Sequence, residues 1–274
     1  MNVAVLTFIY ADNYGALLQA YALKKIVENA GNSIVFLDYI PESEKKFYEK
    51  NYHNIRGIKE IVKKTISNIE RRDSAVMFDA FRNKNFLTVP YREGLVNNDL
   101  LIVGSDQVWH PDVISDDMFL RFAEKKKRAT ISPSFGLDGI PKEKGDYYRN
   151  GLCGFNKITV REESGKDIIE GLCDVQVDVN LDPVFMLDSE EWDRVSKTVK
   201  GVADRYIIKY MLGDDNLDNE EIINKIAQEK KIEIIDIHDE SNRLYKIGPG
   251  EFIWLIKNAQ FVITNSFHAI AFSA

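Results

Sequence analysis

The sequence predicts an α/β protein with parallel strands and its chemistry at their carboxyl ends. Three observations predict it. Short apolar, β-branched runs alternate with amphipathic stretches along the whole chain. The first run, residues 3–9, connects through a helical stretch to a second at 34–39, a βαβ unit whose right-handed crossover makes the two strands parallel. Several later runs end in clusters of small and polar residues, the pattern of ligand loops on an open α/β sheet.

Taken in order, residues 3–9 read as a buried strand and 10–15 as a polar loop. Residues 16–30 read as a helix, with Leu17, Leu18, Tyr21, Leu23, Ile26 and Val27 on its apolar side and Gly31 ending it. From Tyr48 to about Phe86 runs a Lys- and Arg-rich helical stretch with Ile58, Ile61, Val62, Ile66 and Ile69 at helical spacing. It reads as an amphipathic cover rather than a nucleic-acid arm, because acidic residues are interspersed and no aromatic ladder is present.

Strands follow at 100–103, 128–132 and 157–160. Each ends in a cluster: Gly104 to Pro111, Ser132 to Gly136 and Arg161 to Gly165. Parallel strands bring their carboxyl ends to one edge, so these loops are expected to meet. Residues 177–187 read as an extended connector. A second α/β pattern then begins: strands at 206–212, 232–237 and 261–264, helices at 219–230 and 250–258, and a last helix starting near Phe267. We expect two domains, 1–185 and 186–274. Since the chain stops inside the last helix, the second is expected to be C-terminally incomplete.

The chain has 274 residues, 45% hydrophobic and 29% charged, as in soluble globular proteins. A formal charge of −7 argues against broad binding to nucleic acid or anionic lipid. No stretch reaches the roughly 18 apolar residues of a membrane span, and the start lacks the basic region of a leader, so a cytoplasmic protein is expected. Cys153 and Cys173 fit neither a metal nor a CxxC spacing and are expected as reduced thiols. His53, His110 and His238 have no partner at ligand spacing, so no metal is expected.

Four segments carry a resemblance: Asn13 to Leu23, Gly104 to Trp109, Ile158 to Gly165 and Val262 to His268. Leu181-Asp-Pro183 and Gly248 to Ala259 support them. In order and spacing the set resembles the polysaccharide pyruvyl transferase family over nearly the whole chain. The resemblance implies two Rossmann-like domains facing a cleft, as in GT-B glycosyltransferases. It implies transfer of a pyruvyl group from phosphoenolpyruvate onto sugar hydroxyls of a polysaccharide precursor, forming a ketal, with no cofactor. The partners would be phosphoenolpyruvate and a saccharide acceptor. Peripheral association with a lipid-linked glycan is compatible with this.

Phosphoenolpyruvate carries a phosphate and a carboxylate. Arg161 directly follows a strand, where a guanidinium binds such groups in a bidentate way, and the resemblance places an arginine here in the donor site. The alternative is a surface arginine paired with Glu162 or Glu163. His268, at a strand end in the first turn of a helix, is the candidate general acid or phosphate partner, against a histidine packed under a helix start. Many family members carry an arginine two residues before this histidine; this chain has Ser266, preceded by Asn265. A hydroxyl and an amide can bond a phosphate or a sugar hydroxyl but bring no charge.

Asp106, with Ser105 and Gln107 beside it, can orient or deprotonate an acceptor hydroxyl, or cap the next turn. Trp109 can stack on a sugar face or pack in the core. Asn13, Tyr14 and Gly15 line the acceptor side or build a turn and cap, and without GxGxxG the loop does not support dinucleotide binding. Two other functions share the fold: a glycosyltransferase-like enzyme using a nucleotide sugar, and a non-catalytic saccharide-binding protein.

Overall fold

Strand β1 (Asn2–Leu6) lies at the centre of a parallel sheet because four of its five residues are buried, which requires cover on both faces. The computed structural model describes residues 1–39, 75–91, 97–212, 217–238 (the first three without side chains) and 247–274. Of the described residues, those in Met1–Ile55 and Asn83–Leu187 form one compact unit. Those in Arg56–Arg82 and Asp188–Ala274 form a second.

In the first unit, β1 leads through α1 (Tyr14–Asn29) to β2 (Ser33–Asp38). A helix over residues 75–85 (α2), whose residues up to Arg82 belong to the second unit, precedes β3 (Thr88–Pro90), and β4 (Leu100–Val103) and β5 (Arg128–Thr130) follow. The sheet order is β3-β2-β1-β4-β5. Its direction reverses at β1, so the crevice beyond β1 and β4 is the switch point where such sheets bind ligands. Beyond α3 (Gly145–Leu152), strand β6 (Ile158–Val160) joins β5 through an Ala129–Lys157 bridge. After α4 (Glu163–Leu172), β7 (Val177–Val179) pairs with β6. The expected connector at 177–187 therefore begins as a strand, and ends in a 3-10 turn at Pro183–Phe185 packed on α1. Of the expected basic helix, the part before residue 75 lies outside the described residues.

The segments that follow β4 and β5, with α3 and the residues before β6, fill the core of this unit with aromatic rings. Trp109 is fully buried, its ring centroid 5.5 Å from that of Phe135 and 6.0 Å from that of Phe155. Its indole N–H donates to the Met118 carbonyl at 3.2 Å, and the Tyr148 hydroxyl donates to the Trp109 carbonyl at 2.7 Å.

The expectation of two reduced thiols is not met: Cys153 and Cys173 form a disulfide, with Cα atoms 5.5 Å apart. Each residue caps the carboxyl end of a helix, α3 and α4, and the packing of these helices brings the ends together, which spacing does not show. Closing a loop of this length is worth about 3 kcal/mol. Dithiothreitol should therefore lower the thermal midpoint of the wild type and leave that of Cys153→Ser unchanged. Equal wild-type midpoints with and without reductant would show that the bridge does not constrain the unfolded chain.

The second unit begins with α5 (Ser189–Val195), capped by Asp188, whose carboxylate accepts from Glu191 N at 2.9 Å. Strand β8 (Tyr206–Tyr210), helix α6 (Leu217–Lys230), β9 (Glu233–Asp236), α7 (Pro249–Asn258), β10 (Phe261–Thr264) and α8 (Phe267–Ser273) follow. The parallel order β10-β8-β9 puts a second switch point beyond β8 and β10. Buried Lys209 on β8 is held between Glu220 and, at 3.1 Å, Asp236.

Candidate functional site

The three polar clusters expected at one edge do meet at the carboxyl edge of the first unit. Beyond β1 and β4, the Thr7 hydroxyl donates to the Ser105 carbonyl at 2.8 Å, and Gln19 on α1 donates to Thr7 at 3.1 Å. Gly104 makes this approach possible, since a Cβ there would lie 2.9 Å from that of Thr7. Ser105 Oγ sits 2.9 Å from the Ser132 carbonyl and 2.8 Å from Asp182 Oδ2; its one proton serves them in turn. Ser132 donates to the Leu181 carbonyl at 2.8 Å. Thr130 and Thr159 exchange hydroxyl bonds of 2.7–2.9 Å between β5 and β6. Hydroxyl groups thus tie the strand ends where the backbone ladder between β5 and β6 is reduced to a single bridge.

Arg161, at the end of β6, belongs to this network. Its side chain is only 7% exposed, and Nη1 donates to Asp182 at 2.9 Å while Nε faces Glu162 at 3.3 Å. The Glu162 contact is one of the two surface pairs weighed from sequence, but the arginine is not a surface group. Asp182 was missed as a site residue. Its signal was Asp before Pro183, where the carboxylate also accepts from Val184 N at 3.1 Å. Ser132 stood in one of the three strand-end clusters, whereas Gln19 gave no comparable signal, since a lone glutamine on a helix is common.

Asp106 and Ser132 both carry positive φ, 82° and 57°. Non-glycine residues held there cost about 1–3 kcal/mol and concentrate at functional loops. Asp106 is half-buried; its carboxylate accepts from Gln107 N at 2.8 Å, so it caps its own turn as well as lying at this edge. Gln107 is exposed and covers Gly136, where a Cβ would meet its amide at 2.6 Å. Asn13 caps α1 through Ala16 N at 3.0 Å, and Tyr14 and Gly15 are buried in its first turn. Fully buried Trp109 presents no face to a sugar; of its two readings the packing one holds.

At the switch point of the second unit, the Thr264 hydroxyl donates to the Tyr210 carbonyl at 2.5 Å. The Asn265 amide accepts from Leu212 N at 2.7 Å and donates to its carbonyl at 2.8 Å, continuing the β10–β8 pairing by a side chain. Ser266 is the buried N-cap of α8, accepting from Ala269 N at 3.4 Å. These expected ligand groups are engaged with the backbone because the chain turns from strand to helix within two residues. His268 is buried in the first turn of α8, 8% exposed, edge-on to Phe267 at 5.2 Å. Nearby, burial pushes the Tyr210 phenol up to about 12, so it is neutral near pH 7 and no base there. Its ring stacks on that of His238 at 5.1 Å.

A groove of about 600 Å³ on the second unit, lined by Trp192, Ile253, Phe261 and Phe272 among others, opens where β10 begins, at the opposite edge from His268. Among the described residues, no cluster of His, Cys, Asp and Glu could hold a metal, and no helix is long and apolar enough to cross a membrane.

Parallel sheets with polar strand ends, in a chain that alternates strand and helix, are consistent with a Rossmann-like class of protein. The family model for polysaccharide pyruvyl transferase matches residues 13–274, so the chain belongs to that family and is an enzyme of that kind. Comparison with curated proteins and with solved structures gave no match.

Proposed function

We propose that the enzyme transfers the pyruvyl group of phosphoenolpyruvate to two hydroxyls of a saccharide in a polysaccharide precursor, giving a pyruvate ketal and phosphate. The observation that carries this is the family match across residues 13–274. In the first unit, Arg161 supports it as an oriented guanidinium at a strand's carboxyl end, suited to the donor's carboxylate or phosphate. In the second unit, His268 is the proposed proton donor.

The reaction needs one proton added to the donor's methylene carbon, which makes the adjacent carbon electrophilic. A first hydroxyl adds there and loses its proton. The phosphate then leaves with the C–O electrons, and the second hydroxyl closes the ketal, losing its proton in turn. The two released protons balance the one taken up and the one carried by phosphate. Asp106 is the proposed partner of an acceptor hydroxyl. Arrangement of the units as GT-B-type domains belongs to the same proposal. So does a cytoplasmic place of action, since so charged a donor does not cross a bilayer unaided. Association with a lipid-linked glycan would bring the acceptor.

The test is incubation with phosphoenolpyruvate and a panel of saccharides, reading phosphate release and ketal formation. Turnover is expected in the wild type, with a fall of at least about a hundredfold in His268→Ala, the scale of a lost general acid. Ser266 favours one competing reading, because a buried, neutral cap brings no charge to a donor phosphate. Saturable binding of a nucleotide sugar with none of phosphoenolpyruvate would replace the donor assigned here.

A further inference from the structure

One buried carboxylate at the carboxyl edge of the first unit takes no part in the chemistry above. The Asp182 side chain is 0% exposed. Its Oδ2 accepts from Arg161 Nη1 at 2.9 Å and lies 2.8 Å from Ser105 Oγ, while Oδ1 accepts from Val184 N at 3.1 Å. A single residue thus ties together the loop after β4, the loop after β6 and the turn after β7.

The chemistry of this contact concerns orientation rather than attraction. A guanidinium is planar, and partners on two of its edges, Asp182 at Nη1 and Glu162 at Nε, fix the plane. Two carboxylates beside one cation make the site less attractive to an anion, so Asp182 does not serve to raise affinity by charge. Burial also makes the pair hard to break, because removing one partner strands the other's charge. Through Ser105 the same carboxylate holds the backbone that leads into Asp106, where the chain is strained at φ 82°.

We propose that Asp182 is the positioning residue of the donor site, acting through Arg161 and through the Ser105 loop. The inference rests on the reading of Arg161 as a donor-binding group. It goes beyond that reading by assigning a residue that never touches substrate but sets the geometry of one that does. A purely structural Asp182 would affect folding and leave Arg161 unchanged in the folded molecules.

Phenylglyoxal labelling of Arg161, mapped by mass spectrometry, separates these readings. It is measured on folded wild type and Asp182→Asn, with and without saturating phosphoenolpyruvate. At saturation, protection reports contact rather than affinity. The wild type should label slowly, with the donor slowing it by a further factor of about ten. In Asp182→Asn the rate without donor should rise about tenfold, and donor protection should fall to about twofold or less, because an unanchored guanidinium leaves the donor-facing geometry. No protection in the wild type would overturn the donor reading and this inference with it. Wild-type protection retained in full by Asp182→Asn would overturn the inference alone. If Asp182→Asn does not fold, Ser105→Ala carries the test. That variant keeps the ion pair but frees one side of it, and Arg161 should label about threefold faster; a wild-type rate would overturn the inference.

Discussion

Trp109→Ala is expected to destabilise the protein by about 3–5 kcal/mol, the cost of emptying a large aromatic from a closed core. The indole is fully buried among Phe135 and Phe155, and its N–H satisfies the Met118 carbonyl. Truncation therefore leaves a cavity and strands a buried acceptor. The backbone N–H of Trp109, which donates to the Ser134 carbonyl in the loop after β5 at 3.2 Å, survives the truncation, so the loss is that of the ring and its indole bond. For a chain of this size the midpoint should fall by roughly 8–15 °C. Thermal melts followed by circular dichroism measure it. A sugar-stacking tryptophan would behave in the opposite way, with a near-native melt and weakened acceptor binding. Trp109→Phe should lose much less stability, because most of the ring volume stays. Its melt therefore separates lost volume from the lost N–H bond.

Several elements of the fold were legible because each strand is an apolar run bounded by a turn signal. Strand β10 has the expected bounds, Phe261–Thr264, and β4 likewise at Leu100–Val103. Other ends moved by one to three residues: β1 stops at Leu6, where Thr7 turns its hydroxyl to the Ser105 carbonyl, and β8 stops at Tyr210, because the next residues, though apolar, leave the ladder for the carboxyl-edge loop. Strand β7 was hidden in an apparent connector, since Val177-Asp-Val alternates for only three residues and is a strand only through β6. The convergence of the three polar clusters followed from parallel topology alone. The network within them did not, because Asp182 lies 21 residues after Arg161 and 77 after Ser105. The Cys153–Cys173 bridge was likewise invisible, as it depends on how α3 packs on α4. For Asn265 and Ser266 the residue types were read correctly as polar groups at a strand end, but they serve the chain's own turn.

Arg161→Ala should cost about 3–5 kcal/mol of stability in addition to any loss of donor binding, because it leaves Asp182 charged and buried without its main partner. This separates Arg161 from an exposed ligand arginine, whose removal costs within about 0.5 kcal/mol. Denaturant unfolding of four proteins measures it: wild type, Arg161→Ala, Asp182→Ala and the double variant. Each single variant strands one charge of the pair, whereas the double variant strands neither of the two and loses packing, the Ser105 and Val184 bonds and the Glu162 contact. The double variant should therefore be more stable than the sum of the two losses implies, with a coupling of about 1–3 kcal/mol. Additive losses would mean that the 2.9 Å contact carries little energy and that Arg161 is held by its other contacts. Donor binding should not recover with stability in the double variant, since the guanidinium itself is gone. Recovery of the fold without recovery of the function would distinguish the ion pair's structural part from its part in the reaction.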